Sequence, residues 1–180
     1  WQIQNLRDHP KLPVPDETGD TFEANAIIKA VSASAALPGL LVLADDSGLK
    51  VDALNGQPGV ISAIYAGPGA TDADNRERLK RKLAPLAAAD PALPLTGRFR
   101  CVMALARNGQ VLCTHSGGVE GTLRLSEQGS GGFGYDPLFA PEGHADTFGV
   151  LPAAVKNQLS HRARALQSLV DWLAANPVAD

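Results

Sequence analysis

The stretch Leu40–Leu49, L-L-V-L-A-D-D-S-G-L, decides how the rest of the chain is read. It opens as an unbroken apolar run after Pro38-Gly39 and ends in two adjacent carboxylates, Asp45 and Asp46, followed by Ser47-Gly48. Such a run between turn residues predicts a strand buried on both faces with the aspartates at its carboxyl end, although periodicity alone leaves a helical segment open. In open α/β sheets that end is where ligands bind. Adjacent strand residues point to opposite faces, so the two aspartates have different jobs, and their repulsion calls for a neutralising charge. A divalent cation answers that need. Magnesium is held by one or two carboxylates plus phosphates, and a nearby carboxylate can then take a proton from water. A plain Asp-Asp-Ser-Gly turn is the competing reading.

At 180 residues the chain fits a single domain able to bury about two thirds of its unfolded surface. Its 44% hydrophobic and 19% charged residues are those of a soluble globular protein. A net charge of −3 with no strongly basic face argues against a nucleic-acid partner. No apolar run reaches membrane length and no signal-peptide pattern opens the chain, which implies the cytoplasm and no membrane association. The basic run Arg76–Lys82 lies in a helical pattern with Leu79, Leu83 and Leu86 and reads as a solvated face. If Asn108-Gly109 is a two-residue turn, Arg107 opposes Gln110 and Ala104 opposes Cys113. Cys101 then points to the other face, and two free thiols agree with a reducing compartment.

Residues 1–15 read as an extended connection with at most one short strand. Asp20 and Glu23 cap a helix whose stripe is Phe22, Ala26, Ile27, Ala30 and Val31, ending near Leu37. Glu17, in the loop before it, is either free to reach a metal or an ordinary surface acid. Leu49–Leu54 predicts a second short strand. Thr71 with Asp74 starts a helix to about Leu86, Gly97–Ala106 and Gln110–His115 form a hairpin, and Gly118–Leu125 a third strand. Gly129–Gly134, G-S-G-G-F-G, spells the dinucleotide fingerprint, but Tyr135-Asp136-Pro137 follows where a helix would have to open. The glycines instead let backbone pass close to a ligand, with Phe133 and Tyr135 as faces for a base; a mobile loop with core aromatics is the alternative. Lys156 and Ser160-His161-Arg162 enter a last helix with the stripe Ala163, Leu166, Val170 and Leu173. The helix dipole disfavours cations there, so their gathering suggests an anionic or carbonyl-bearing ligand.

Taken in order, E-T-G at Glu17, A-D-D-S-G at Ala44–Gly48, G-G-F-G-Y-D-P at Gly131–Pro137 and K-N-Q-L-S-H-R at Lys156–Arg162 resemble the inosine triphosphate pyrophosphatase family from about residue 14 to 173. That family hydrolyses non-standard purine nucleoside triphosphates to the monophosphate and pyrophosphate. The resemblance implies an α/β fold: an elongated mixed β-sheet with flanking helices and two lobes around a central cleft, usually as a homodimer. It implies that Asp46 is the proton acceptor and a metal carboxylate, with Asp45 and Glu17 as acidic partners at a magnesium ion. Lys29 resembles the lysine that faces the phosphates, and Ser47 a substrate contact. Phe133, Gly134, Tyr135 and Asp136 resemble the stretch that binds the purine, and Lys156, His161 and Arg162 the set that reads the base.

The family's opening strand and Thr-Gly-Asn-x-x-Lys phosphate loop have no counterpart here, so residues 1–180 read as a single domain of this kind, incomplete at its N-terminus. Val155 stands where the family often has an acidic residue, and Thr147–Pro152 is atypical. The expected function is magnesium-dependent pyrophosphate release from ITP, dITP and XTP. The alternative is a nucleotide-binding or dimerisation scaffold with weak or no catalysis.

Overall fold

The protein, seen as a computed structural model, is described over residues 2–178. Four strands, β1 (Val42–Val51), β2 (Thr96–Arg107), β3 (Gln110–Leu123) and β4 (Phe139–Pro141), form one sheet in that order. The main helices are α1 (Phe22–Ala36), α2 (Asp72–Ala89), α3 (Ala153–Leu159) and α4 (His161–Ala175). The expected α/β fold with flanking helices is the one formed. Within it every described strand pairing is antiparallel, where a mixed sheet was expected.

The deciding stretch is one ten-residue strand that runs straight through Asp45-Asp46-Ser47-Gly48, with no turn between two shorter strands. Asp45 pairs with Met103, Asp46 with Val102, Ser47 with Cys101 and Gly48 with Arg100, so the aspartates sit in mid-strand and not at a carboxyl end. Gly48 is there for close approach: a Cβ would stand 2.4 Å from Ser62 Oγ and 2.6 Å from the Gly59 carbonyl. Nor is the first half buried on both faces, since Leu43 is exposed.

Helices cover both faces of the strand around the aspartates. On one face Ala44, Val102, Ala104 and Ala106 meet Ala26 and Ala30 of α1, small residues that let helix and sheet approach closely. On the other, Cys101, Met103 and Leu105 pack against Ala165 and Leu169 of α4. Further along β1, Leu49 and Val51 join a separate core with Phe99, Leu79 and Leu83 of α2, Phe139 and Phe148. Asp45–Gly48 lies along β1 between this core and the two clusters under α1 and α4.

Several local expectations shift. The Asn108-Gly109 turn forms, both residues at positive φ, and Arg107 opposes Gln110. A bulge between Leu105 and Ala106 then advances the register, so Cys113 opposes Leu105 and not Ala104. That one-residue slip puts Cys113 on the same face as Cys101. Both thiols are nonetheless free, four residues of strand apart. β3 continues through the expected third strand as one element. Thr21, not Asp20, caps α1, accepting from the Ala24 N–H. The buried stripe of α4 is His161, Ala165 and Leu169, while Leu166 and Val170 stand exposed. A single 3-10 turn, Leu6–Asp8, is the regular structure described before Phe22. No helix among the described residues is long and apolar enough to cross a membrane.

Candidate active site

Alternation along β1 sends Asp46 to the α1 face and Asp45 with Ser47 to the α4 face, and each side gathers its own partners. Asp46 is buried. Its Oδ1 accepts from Lys29 Nζ at 3.0 Å and its Oδ2 from Asn25 Nδ2 at 3.3 Å. Asn25 and Lys29 lie four residues apart on one face of α1, which is why both reach the same carboxylate. Burial pushes the Asp46 carboxyl above its ordinary range, and the Lys29 ammonium pulls it partly back.

Asn25 was missed in the sequence. Its Oδ1 accepts the Gly19 N–H at 2.8 Å while its amide nitrogen holds Asp46, so one buried side chain ties the Glu17 loop to the carboxylate. The signal was present: a residue poor in helix propensity placed one turn before a lysine on a small-residue stripe. Glu17 completes the cluster, its Oε2 standing 3.3 Å from Lys29 Nζ.

Asp45 lies elsewhere. Its Oδ2 accepts from Arg162 Nε at 3.1 Å and Nη2 at 2.8 Å, and Nη2 also reaches Ser47 Oγ at 3.2 Å. The expected triad of Glu17, Asp45 and Asp46 around one ion is therefore corrected: no group of three acidic, histidine or cysteine side chains gathers among the described residues, and Asp45 is held by an arginine across the strand. Glu17 and Asp46 remain. Two hard carboxylates converging on the Lys29 ammonium are a donor set that fits magnesium completed by phosphate oxygens.

The glycine-rich loop meets the basic residues on the α4 side. Phe133 is 57% exposed, and its ring has Lys156 Nζ 4.3 Å and the Arg162 guanidinium 5.6 Å from its centroid. Lys156, placed in α3 and not at the α4 entrance, forms an ion pair with buried Asp136, which accepts the Phe133 N–H at 2.7 Å. Gly134 is bonded at both its N–H and its carbonyl. Tyr135 is not a stacking face: it is buried, and its hydroxyl donates to the Ser62 carbonyl at 2.8 Å.

His161 also lies behind the surface. Its ring is buried and stacked on Phe99, with centroids 4.9 Å apart, and its Nδ1 has no partner. Burial, then the nearby Arg162 and Lys156 charges, lower its pKa to about 4, so the ring is neutral at pH 7. Ser160 caps α4 by accepting from the Ala163 N–H, which starts that helix with Arg162 aimed at β1. Gly117 on β3 lets the helix start so close: a Cβ there would lie 2.2 Å from the His161 carbonyl.

A weakly acidic, buried carboxylate on one side of a strand, and a cation-flanked aromatic ring on the other, describe an α/β protein with a candidate site for an anionic ligand that carries a flat ring. The chain belongs to the Ham1 family, whose model matches residues 1–172. It is 46% identical over 171 residues to a dITP/XTP pyrophosphatase of Shouchella clausii, covering 95% of this chain and 84% of that one. It is likewise 46% identical over 173 residues to a dITP/XTP pyrophosphatase of Geobacter sulfurreducens, covering 96% and 84%. The solved HAM1 protein of Coxiella burnetii superposes with a TM-score of 0.84 at 41% identity, over 94% of this chain and 84% of that one.

Proposed function

We propose that this chain is a nucleoside triphosphate pyrophosphatase that hydrolyses non-standard purine nucleotides such as dITP, ITP and XTP to the monophosphate and pyrophosphate. The observation that carries the reading is Asp46: a buried carboxylate of raised pKa, held by Lys29 and Asn25 in a chain about 46% identical to two dITP/XTP pyrophosphatases. A carboxylate so placed can accept a proton at neutral pH from a water that attacks phosphorus. Attack at the α-phosphorus breaks the bond to the β-phosphate oxygen, and the water proton goes to Asp46. Lys29 lies beside Asp46 and balances charge on the pyrophosphate that leaves.

The divalent ion of this reading is magnesium, with Glu17 and Asp46 as its carboxylate ligands; when bound it offsets the triphosphate charge and polarises the phosphoryl oxygens. The base lies against Phe133. Arg162, steadied by Asp45 and Ser47, presents N–H donors to a 6-oxo group, and Lys156, fixed by Asp136, supports the same side. An adenine would set its 6-amino donor against those donors. Leaving buried polar groups unpaired in that way can give a ~10⁴-fold preference. His161 serves as a neutral packing ring behind Arg162. Ser47 acts through Arg162.

The same reading takes the protein to be a cytoplasmic homodimer. Two free cysteines support the compartment, and Leu166 and Val170 on the outward side of α4 support an apolar contact. A catalytically silent scaffold is the less favoured reading, because a binding module has no use for a buried carboxylate of raised pKa. Pyrophosphate release from ITP, XTP, dITP and ATP, with and without magnesium, tests the proposal. Magnesium-dependent release from the first three but not from ATP is expected, and no release from any of them contradicts it.

A further inference from the structure

The basic run on α2 read as a solvated face, yet Arg76 and Lys80 are largely covered, and both reach the glycine-rich loop. Asp72 Oδ2 accepts the Gly134 N–H at 2.7 Å, and Arg76 Nη1 donates to the Gly134 carbonyl at 2.9 Å. Both polar groups of one glycine are thus held by one helix, from positions four apart on a single face. The same face grips the other end of the loop. Arg76 Nε lies 3.1 Å from Glu127 Oε2, and Lys80 Nζ 3.3 Å from Glu127 Oε1.

Between Glu127 and Gly134 the chain holds Gly129, Gly131 and Gly132, so it lacks side chains that would fix its own course. Gly134 itself sits at φ +59, and Phe133 next to it exposes the ring flanked by Lys156 and Arg162. With the Phe133 N–H held by Asp136 and the Gly134 peptide groups held by α2, the backbone is fixed on both sides of that ring.

Resting on the pyrophosphatase reading above, we propose that Asp72 and Arg76 are positioning residues that set base specificity by clamping Gly134. They hold Phe133 at the distance from Arg162 at which a 6-oxopurine fits, and they touch no reacting atom. Losing the clamp weakens nucleotide binding and blurs base choice while the hydrolytic step keeps its rate.

The test is steady-state pyrophosphate release from ITP and from ATP, with thermal melts, on the whole chain and on Asp72→Ala, Asp72→Asn, Arg76→Met and Arg76→Lys. The clamp bonds lie inside the protein, so their loss acts through the placement of Phe133; with one charge-assisted hydrogen bond, worth about tenfold or more, as the scale, Asp72→Ala and Arg76→Met should each raise KM for ITP about tenfold and shrink the ITP to ATP preference about tenfold. Their kcat should stay within about threefold of the parent. Asn keeps an acceptor and Lys a donor, so these variants should recover most of the loss. Folded Ala and Met variants with unchanged KM and preference overturn the proposal, as does a loss confined to kcat or one that Asn and Lys do not relieve. Should Arg76→Met fail to fold, the Asp72 pair decides, because Asp72 is exposed. A parent chain that releases no pyrophosphate from ITP overturns the functional reading and the clamp with it; an active parent with indifferent variants overturns the clamp alone.

Discussion

Arg162 holds Asp45 through two nitrogens on a single carboxylate oxygen, Nε at 3.1 Å and Nη2 at 2.8 Å, reaching across from the first turn of α4 to the middle of β1. In the proposed site Asp45 accordingly steadies the arginine, and Glu17 and Asp46 are left to hold the ion. Asp45→Ala and Arg162→Ala should each reduce the ITP to ATP preference by about tenfold or more, and the double variant should fall little below either one, as residues acting as a unit do. Steady-state kinetics on the three variants checks this. Activity of Asp45→Ala that returns at high magnesium would instead return Asp45 to the metal.

The Asp46 carboxyl is raised by burial and lowered by Lys29. In the metal-free protein the carboxyl should therefore titrate above the ordinary aspartate pKa of 3.8. Removing the cation in Lys29→Met disfavours the charged carboxylate further and should move that titration to higher pH. An NMR titration of the Asp46 carboxyl in both proteins without magnesium measures this, and a shift to lower pH in Lys29→Met contradicts the placement of Lys29 as its stabilising partner.

His161 ties stability to pH in a known direction. Its pKa falls from 6.5 in the unfolded chain to about 4 in the fold, so the unfolded state binds the proton more tightly between those values. Stability should be full above about pH 6.5 and decline toward pH 4 by up to about 3 kcal/mol. Urea unfolding at pH 7.0, 5.5 and 4.5 reads most of this, as a ~2.5 kcal/mol span, which His161→Phe should remove. The same span in the variant would assign it to other groups.

Gly117 sets how near α4 stands to the sheet. With a Cβ 2.2 Å from the His161 carbonyl, 2.4 Å from the Ala165 nitrogen and 2.9 Å from Arg164 Cβ, Gly117→Ala runs into the first turn of α4 and meets no flexible side-chain end that could swing away. Overpacking of this kind costs about 1–3 kcal/mol. Chemical denaturation should show that loss, together with a weaker ITP preference as Arg162 is carried off β1. An unchanged midpoint would contradict the close contact.

Where the sequence named a local rule that tertiary packing did not override, its reading held. Thr71 and Asp74 form the expected capping box of α2, and Asn108-Gly109 makes the expected turn. Asp45 and Asp46 do diverge, as strand alternation requires. What stayed hidden depends on contacts far along the chain. Gly48 looks like a turn residue until Ser62 and Gly59 are seen against it, so the strand seemed to end where it continues. The bulge at Leu105 leaves no mark in a string of apolar residues, and its single step of register moved Cys113 to the other face. Tyr135 and Phe133 share one motif, but only Tyr135 finds a carbonyl inside the core, at Ser62. The acidic triad failed for a related reason: charge adjacency in sequence cannot tell that an arginine 117 positions away takes one of the pair.

In the proposed reaction Asp46 takes the proton from the attacking water. Asparagine keeps its shape and can still accept from Lys29 or Asn25, so Asp46→Asn leaves the packing in place while removing the base. Pyrophosphate release from ITP with magnesium, measured beside a thermal melt, should fall by about 10³-fold or more at an unchanged fold. Release within about threefold of the parent chain would contradict the account.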